Sequence, residues 1–227
     1  MDKKDLPISL TPSERSFGLR YLLFSLIFLG SILSLLSGSF SWFQGDTAYF
    51  ITNFLAVCLI FRRFLLASFR VGFYRFEKVL LAGSLAILAY FAASKGMDLL
   101  YRQIMPGYFN VNDADIYQTA LIRPWSTIFC TVILVPIAEE TLHRGLVFGA
   151  LHRTNRTAAY VISSILFCYI HIAGYIGVYE APVLLLCFLQ YLPAGLALAW
   201  SYEFSGSILT PILMHTAVNA IAMFLMR

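Results

Sequence analysis

Two adjacent carboxylates, Glu139 and Glu140, lie in one of the most apolar stretches of the chain, Trp125 to Leu151, where the only other formal charge is Arg144. A charge at membrane depth costs at least ~2.5–3.5 kcal/mol, so two side by side need a partner or a task. Farther along, three more polar side chains stand inside hydrophobic runs. His171 closes Phe167-Cys-Tyr-Ile-His171, and His215 and Asn219 bracket His215-Thr-Ala-Val-Asn219. Carboxylates and imidazoles gathered in an apolar site are the groups that move protons, as general acids and bases or along a proton path.

Helical spacing sorts these groups. Residues four apart share a face, so Glu140 and Arg144 can pair while Glu139, about 100° around the helix, is left for another task. His215 and Asn219 share a face, and Phe167 falls one turn before His171 and would pack beside it. Taken singly, each has a bland reading: a hydrogen-bonded packing histidine, a structural Glu140–Arg144 clip. A glutamate pair, two histidines and an asparagine on three late runs point instead to one shared polar site.

The elements that must position them are membrane helices. Of 227 residues, 59% are hydrophobic and 12% charged, against about 25% charged in a soluble domain. Apolar runs of spanning length, roughly 20 residues, fall at about 20–38, 47–66, 79–101, 125–150, 157–176, 181–201 and 207–226. The fold class is therefore all-α, a polytopic membrane bundle of about seven transmembrane helices. A polar lead, 1–18, precedes a transmembrane domain, 19–227. A removable leader is not expected, since further spans follow and no A-x-A-like site stands out.

Lys and Arg in the connections set orientation. The lead, the 62–78 connection (Arg62, Arg63, Arg70, Arg75, Lys78) and the 151–156 turn (Arg153, Arg156) fall on one side, assigned to the cytoplasm. The N-terminus is then cytoplasmic, with Ser39–Asp46 and the 102–124 segment opposite. The expected location is the cell membrane. The modest net charge of +4 is clustered as orientation requires, and no basic and aromatic surface suits nucleic acid. Cys58, Cys130, Cys168 and Cys187 form no CxxC and read as packed thiols. Pro136, one turn before the glutamates, either opens the backbone near them or is a tolerated kink. Gly145-Leu-Val-Phe-Gly149 fits GxxxG and reads as close packing.

The three polar segments, Glu139-Glu140-Thr-Leu-His-Arg144, Phe167-Cys-Tyr-Ile-His171 and His215-Thr-Ala-Val-Asn219, together resemble the pattern of an intramembrane protease family. It includes type II CAAX prenyl endopeptidases and bacterial Abi or bacteriocin-processing proteins (the CPBP family). The resemblance covers about residues 120–227; residues 1–115 carry no such motif. It implies an endopeptidase in which Glu139 activates a water, His171 orients it and relays a proton, and His215 and Asn219 donate to the oxyanion, with Glu140, Arg144 and Phe167 in support. The implied partners are a peptide or protein substrate near the membrane and the bilayer itself. One departure is His143, where the family often has an aromatic or apolar residue. It is expected to face an aqueous cavity, with a hydrogen bond to Glu139 as the alternative.

A metal is the rival mechanism. Glu139, His171 and His215 have zinc-ligand chemistry, but there is no His-Glu-x-x-His and asparagine is an uncommon ligand, so no cofactor is expected. Rival functions are a non-catalytic immunity or partner-binding protein on the same scaffold, and a proton-coupled transporter, for which no inverted repeat speaks.

Overall fold

The computed structural model describes residues 6–39 and 44–225, and within them every regular element is helical. Lys3 and Lys4 of the lead, residues 40–43 of the first opposite-side connection, and Met226 and Arg227 lie outside the described residues. The helices are α1 (Pro12–Ser39), α2 (Gly45–Ile60), α3 (Arg62–Tyr74), α4 (Phe76–Ile104), α5 (Val111–Ile122), α6 (Pro124–His152), α7 (Arg156–Ile172), α8 (Ala181–Ser205) and α9 (Leu209–Leu225). Short polar side chains start several of them by accepting from first-turn N–H groups. Thr11 and Glu14 form a reciprocal capping box at α1, Asn110 caps α5, and Asn155 caps α7.

Among the described residues, five helices are long and apolar enough to cross a membrane: α1, α4, α6, the run Arg156–Tyr175 that begins with α7, and α8. The expected straight span at 47–66 is instead α2 and α3, bent by 83° about Phe61; counted as one span they make six. The expected seventh, at 207–226, is the 17-residue α9, about 25 Å long at 1.5 Å per residue, short of the ~30 Å hydrocarbon core. The first helix, α1, begins inside the polar lead, at Pro12. The 102–124 connection holds α5.

The bend at Phe61 is capped by a residue remote in sequence. Glu14 is buried, and one of its carboxylate oxygens accepts from the Phe64 N–H at 2.9 Å, satisfying a first-turn donor of α3. Farther along α3, buried Ser68 ties down the α8–α9 turn. Its carbonyl accepts from Ser207 Oγ at 2.7 Å, and its hydroxyl accepts from the Ile208 N–H at 2.8 Å. Around α3, Phe61, Phe64, Leu146, Phe148 and Tyr202 form the main core. A second cluster, Ala86, Phe167, Leu198 and Met214, joins α4, α7, α8 and α9 under the polar site.

Two stretches of α6 are π-helical: Cys130–Leu134 and Thr141–Phe148. In them the N–H bonds five residues back, as Val135 does to Cys130 and Gly149 to Arg144. Each π turn takes up an extra residue and rotates the rest of the helix relative to ideal α geometry.

Candidate active site

Glu140 and Arg144, both completely buried, sit at the centre. Glu140 Oε1 accepts from Arg144 Nη1 at 3.1 Å and from His215 Nδ1 at 2.9 Å. Arg144 Nη2 donates to the Gly195 carbonyl at 3.1 Å, and its guanidinium lies 4.4 Å over the Phe167 ring, a cation–π contact in a dry setting. Gly195 allows the approach of α8 to α7: a Cβ there would stand 3.0 Å from that of Ser164. Of the GxxxG pair, Gly145 is the close-packed one, with Phe64 2.8 Å from where its Cβ would be.

Glu139, one residue earlier, is differently placed. Its Oε2 is buried and has no hydrogen-bond partner. The side chain opens on a cavity of about 50 Å³ lined by Ser25 of α1, Tyr49 and Asn53 of α2, and Glu139, Leu142 and His143 of α6, among others. A water needs about 10–15 Å³ of such space, so the cavity has room for water. His143 therefore both lines this cavity and bonds Glu139, though through the Glu139 backbone carbonyl, at 2.8 Å from Nδ1.

Carbonyl oxygens only accept, so the contacts fix the histidine tautomers. His171 Nδ1 lies 2.7 Å from the Phe167 carbonyl and must donate, which leaves the Nε2 lone pair free when the ring is neutral. His143 has the same arrangement, with Nε2 buried and unpartnered. Phe167 is in ring contact with His143, His171 and His215, at centroid distances of 5.8, 4.5 and 5.9 Å.

The structure thus gathers Glu140, Arg144, Phe167, His171 and His215 around one aromatic ring, but not in the expected pattern. His215 meets Glu140 rather than Glu139. Asn219 donates from Nδ2 to the Thr131 carbonyl at 2.8 Å. Neither His171, His215 nor Asn219 lines the cavity beside Glu139. Among the described residues no three His, Cys, Asp or Glu side chains are grouped as metal ligands are.

Several site residues escaped sequence reasoning. Tyr21 donates to Asn53 Oδ1 at 2.7 Å, and Asn53 Nδ2 donates to the Tyr49 carbonyl at 3.0 Å, so the first half of the chain supplies one wall of the Glu139 cavity. The signal available was Asn53 itself, an amide inside an apolar run. Tyr191 of α8 stacks on His171 with ring centroids 4.1 Å apart, and its hydroxyl donates to Asp113 Oδ1 at 2.8 Å. Nothing in the spacing of Tyr191 marks it.

Residues 121–221 match the family described as Rce1-like, type II CAAX prenyl endopeptidase Rce1-like. The chain is also similar to a UPF0177 protein, YxdF, of Lactococcus lactis subsp. lactis (strain IL1403), with 33% identity over 87 residues. That alignment takes in 38% of this chain and 42% of the relative's length. No solved structure matches the chain.

Proposed function

We propose that this chain, a multi-pass membrane protein whose residues 121–221 match the Rce1-like type II CAAX prenyl endopeptidase family, is a member of the CAAX protease and bacteriocin-processing family and an intramembrane endopeptidase. The observation that carries the reading is the inequality of the two glutamates. Glu140 is paired on one oxygen by Arg144 and His215. Each keeps one buried, unpartnered oxygen, Oε2, but of the two only Glu139 lines a cavity, one with room for water.

In this reading Glu139 takes a proton from a water as the water attacks the peptide carbonyl. His171, with Nε2 free, orients the water and passes the proton on to the leaving amine. His215 donates to the developing oxyanion, held in place by Glu140. Asn219 has a second N–H for the oxyanion after the first is given to Thr131. No metal takes part. The substrate is a peptide or protein segment at the membrane, and the N-terminus and the basic connections face the cytoplasm.

One observation favours a second reading. His171, His215 and Asn219 do not line the cavity beside Glu139, and this suits a non-catalytic immunity or partner-binding protein on the same scaffold. The two are separated by mapping new peptide termini in membranes that express the wild type or Glu139→Gln at equal level. Cleavage by this site yields termini that are present with the wild type and missing with Glu139→Gln. Identical sets of termini would sink the peptidase reading.

A further inference from the structure

We infer that Asn219 is a positioning residue that, together with Pro136, fixes the π turn that precedes Glu139 and Glu140 on α6. The Val135 N–H donates five residues back, to the Cys130 carbonyl. It is thereby drawn away from Thr131, its partner in an α-helix. The next donor in the five-residue pattern would be the N–H of residue 136, aimed at the carbonyl of Thr131. Residue 136 is proline and has no N–H. The Asn219 side chain fills the gap, donating from Nδ2 to the Thr131 carbonyl at 2.8 Å.

Thr131 is buried, and a buried carbonyl without a donor is costly. An α-helical turn at this point would not leave the carbonyl open in this way, and a π turn followed by proline does. Asn219 therefore makes the π turn tolerable. Four residues earlier on the same face of α9, His215 bonds Glu140. The helix α9 thus grips α6 at two points, one on the side chain of Glu140 and one on the backbone before the pair. The rotational setting of both glutamates depends on that second grip. This holds whether or not the site cleaves peptides.

The test uses the full-length protein in detergent, with no substrate. Asn219→Ala, Pro136→Ala and the double variant are compared by two readouts. One is the thermal midpoint, followed with a maleimide dye on the thiols that unfolding exposes, Cys130, Cys168 and Cys187 being buried in the fold. The other is the ring ¹⁵N signal of His215 in histidine-labelled protein. There are four histidines in all, and His215→Gln assigns the signal.

Asn219→Ala is expected to lower the midpoint by about 4 °C and to shift the His215 signal. Pro136→Ala restores an N–H for Thr131, so the double variant should recover at least half of the lost midpoint and return the His215 signal toward the wild type. A double variant that fails to recover either readout overturns the inference. Should Asn219→Ala give no folded protein, recovery of folded yield in the double variant takes the place of the midpoint. Continued absence of folded protein then counts against the inference.

Discussion

Arg144 is buried completely and serves three neighbours at once: Glu140, the Gly195 carbonyl and the face of Phe167. A flat guanidinium can do all three; the ammonium of lysine is a point charge that cannot reach two acceptors and stack. Arg144→Lys keeps the charge and should still cost roughly 2–4 kcal/mol of stability, close to the penalty for breaking a buried pair. Thermal unfolding in detergent reads it, and a midpoint within a degree of the wild type would contradict the assignment. Its pairing with Glu140 is what a spacing of four dictates. The other partner of Glu140, His215, lies 75 residues away, and only packing brings it there. Sequence spacing separated Glu139 from Glu140 as the unpaired and the paired position, and it was silent on which of them His215 would meet.

At the scale of the element, α5 shows how a connection becomes structural. The 102–124 segment reads as a loop with two aspartates, but Asn110 caps a helix there. Asp113 then meets Tyr191, the residue stacked on His171. Outside the spans, burial raises the Asp113 carboxyl above its usual range, against the opposing hydrogen bonds from Tyr191 and Asn112. Below about pH 4 both folded and unfolded states hold the proton, and Asp113 adds no pH dependence. As pH rises through the raised value, the folded state is the one reluctant to ionise, so stability falls and stays lower above it. Asp113→Asn, which can still accept from Tyr191, should remove this fall. Midpoints measured from pH 4 to 8 would then run flatter than those of the wild type, and parallel curves would refute the claim. The π turns of α6 belong to this scale too. A period of 3.6 is the only tool the sequence offers for deciding which face a residue takes, and it fails by about a residue's rotation wherever a π turn intervenes.

Across the whole molecule, the basic connections define one end. Arg62, Arg63, Arg70 and Arg75 are exposed along α3 and at its end, and at the junction of α6 and α7 Arg156 pairs with Glu203 at 2.6 Å. Single cysteines at Tyr74 and Thr154, placed in a variant lacking the four native thiols, should both react with an impermeant maleimide from the cytoplasmic side. One at Tyr117 should react only from the opposite side. Tyr74 and Thr154 labelling from opposite sides would overturn the proposed topology.

The sequence by itself determined the solvent and the class of structure. A chain that is 59% hydrophobic, with charge confined mostly to connections, can satisfy its backbone in a bilayer only as helices or a closed barrel, and its runs have helical length. It also determined that Glu139, Glu140, Arg144, His171, His215 and Asn219 are costly where they stand and must be compensated. The tertiary structure alone decided how. Compensation is a matter of contact across helices, and contact depends on the bend at Phe61, the π turns around Pro136 and the closeness of α8 at Gly195. Each is a departure from regular geometry, held by a partner remote in sequence: Glu14 for Phe64, Asn219 for Thr131, Gly195 for Arg144. Local periodicity carries no information about such partners, and so these six residues stood out in the chain while their wiring, and the neighbours from α1, α2 and α8, did not.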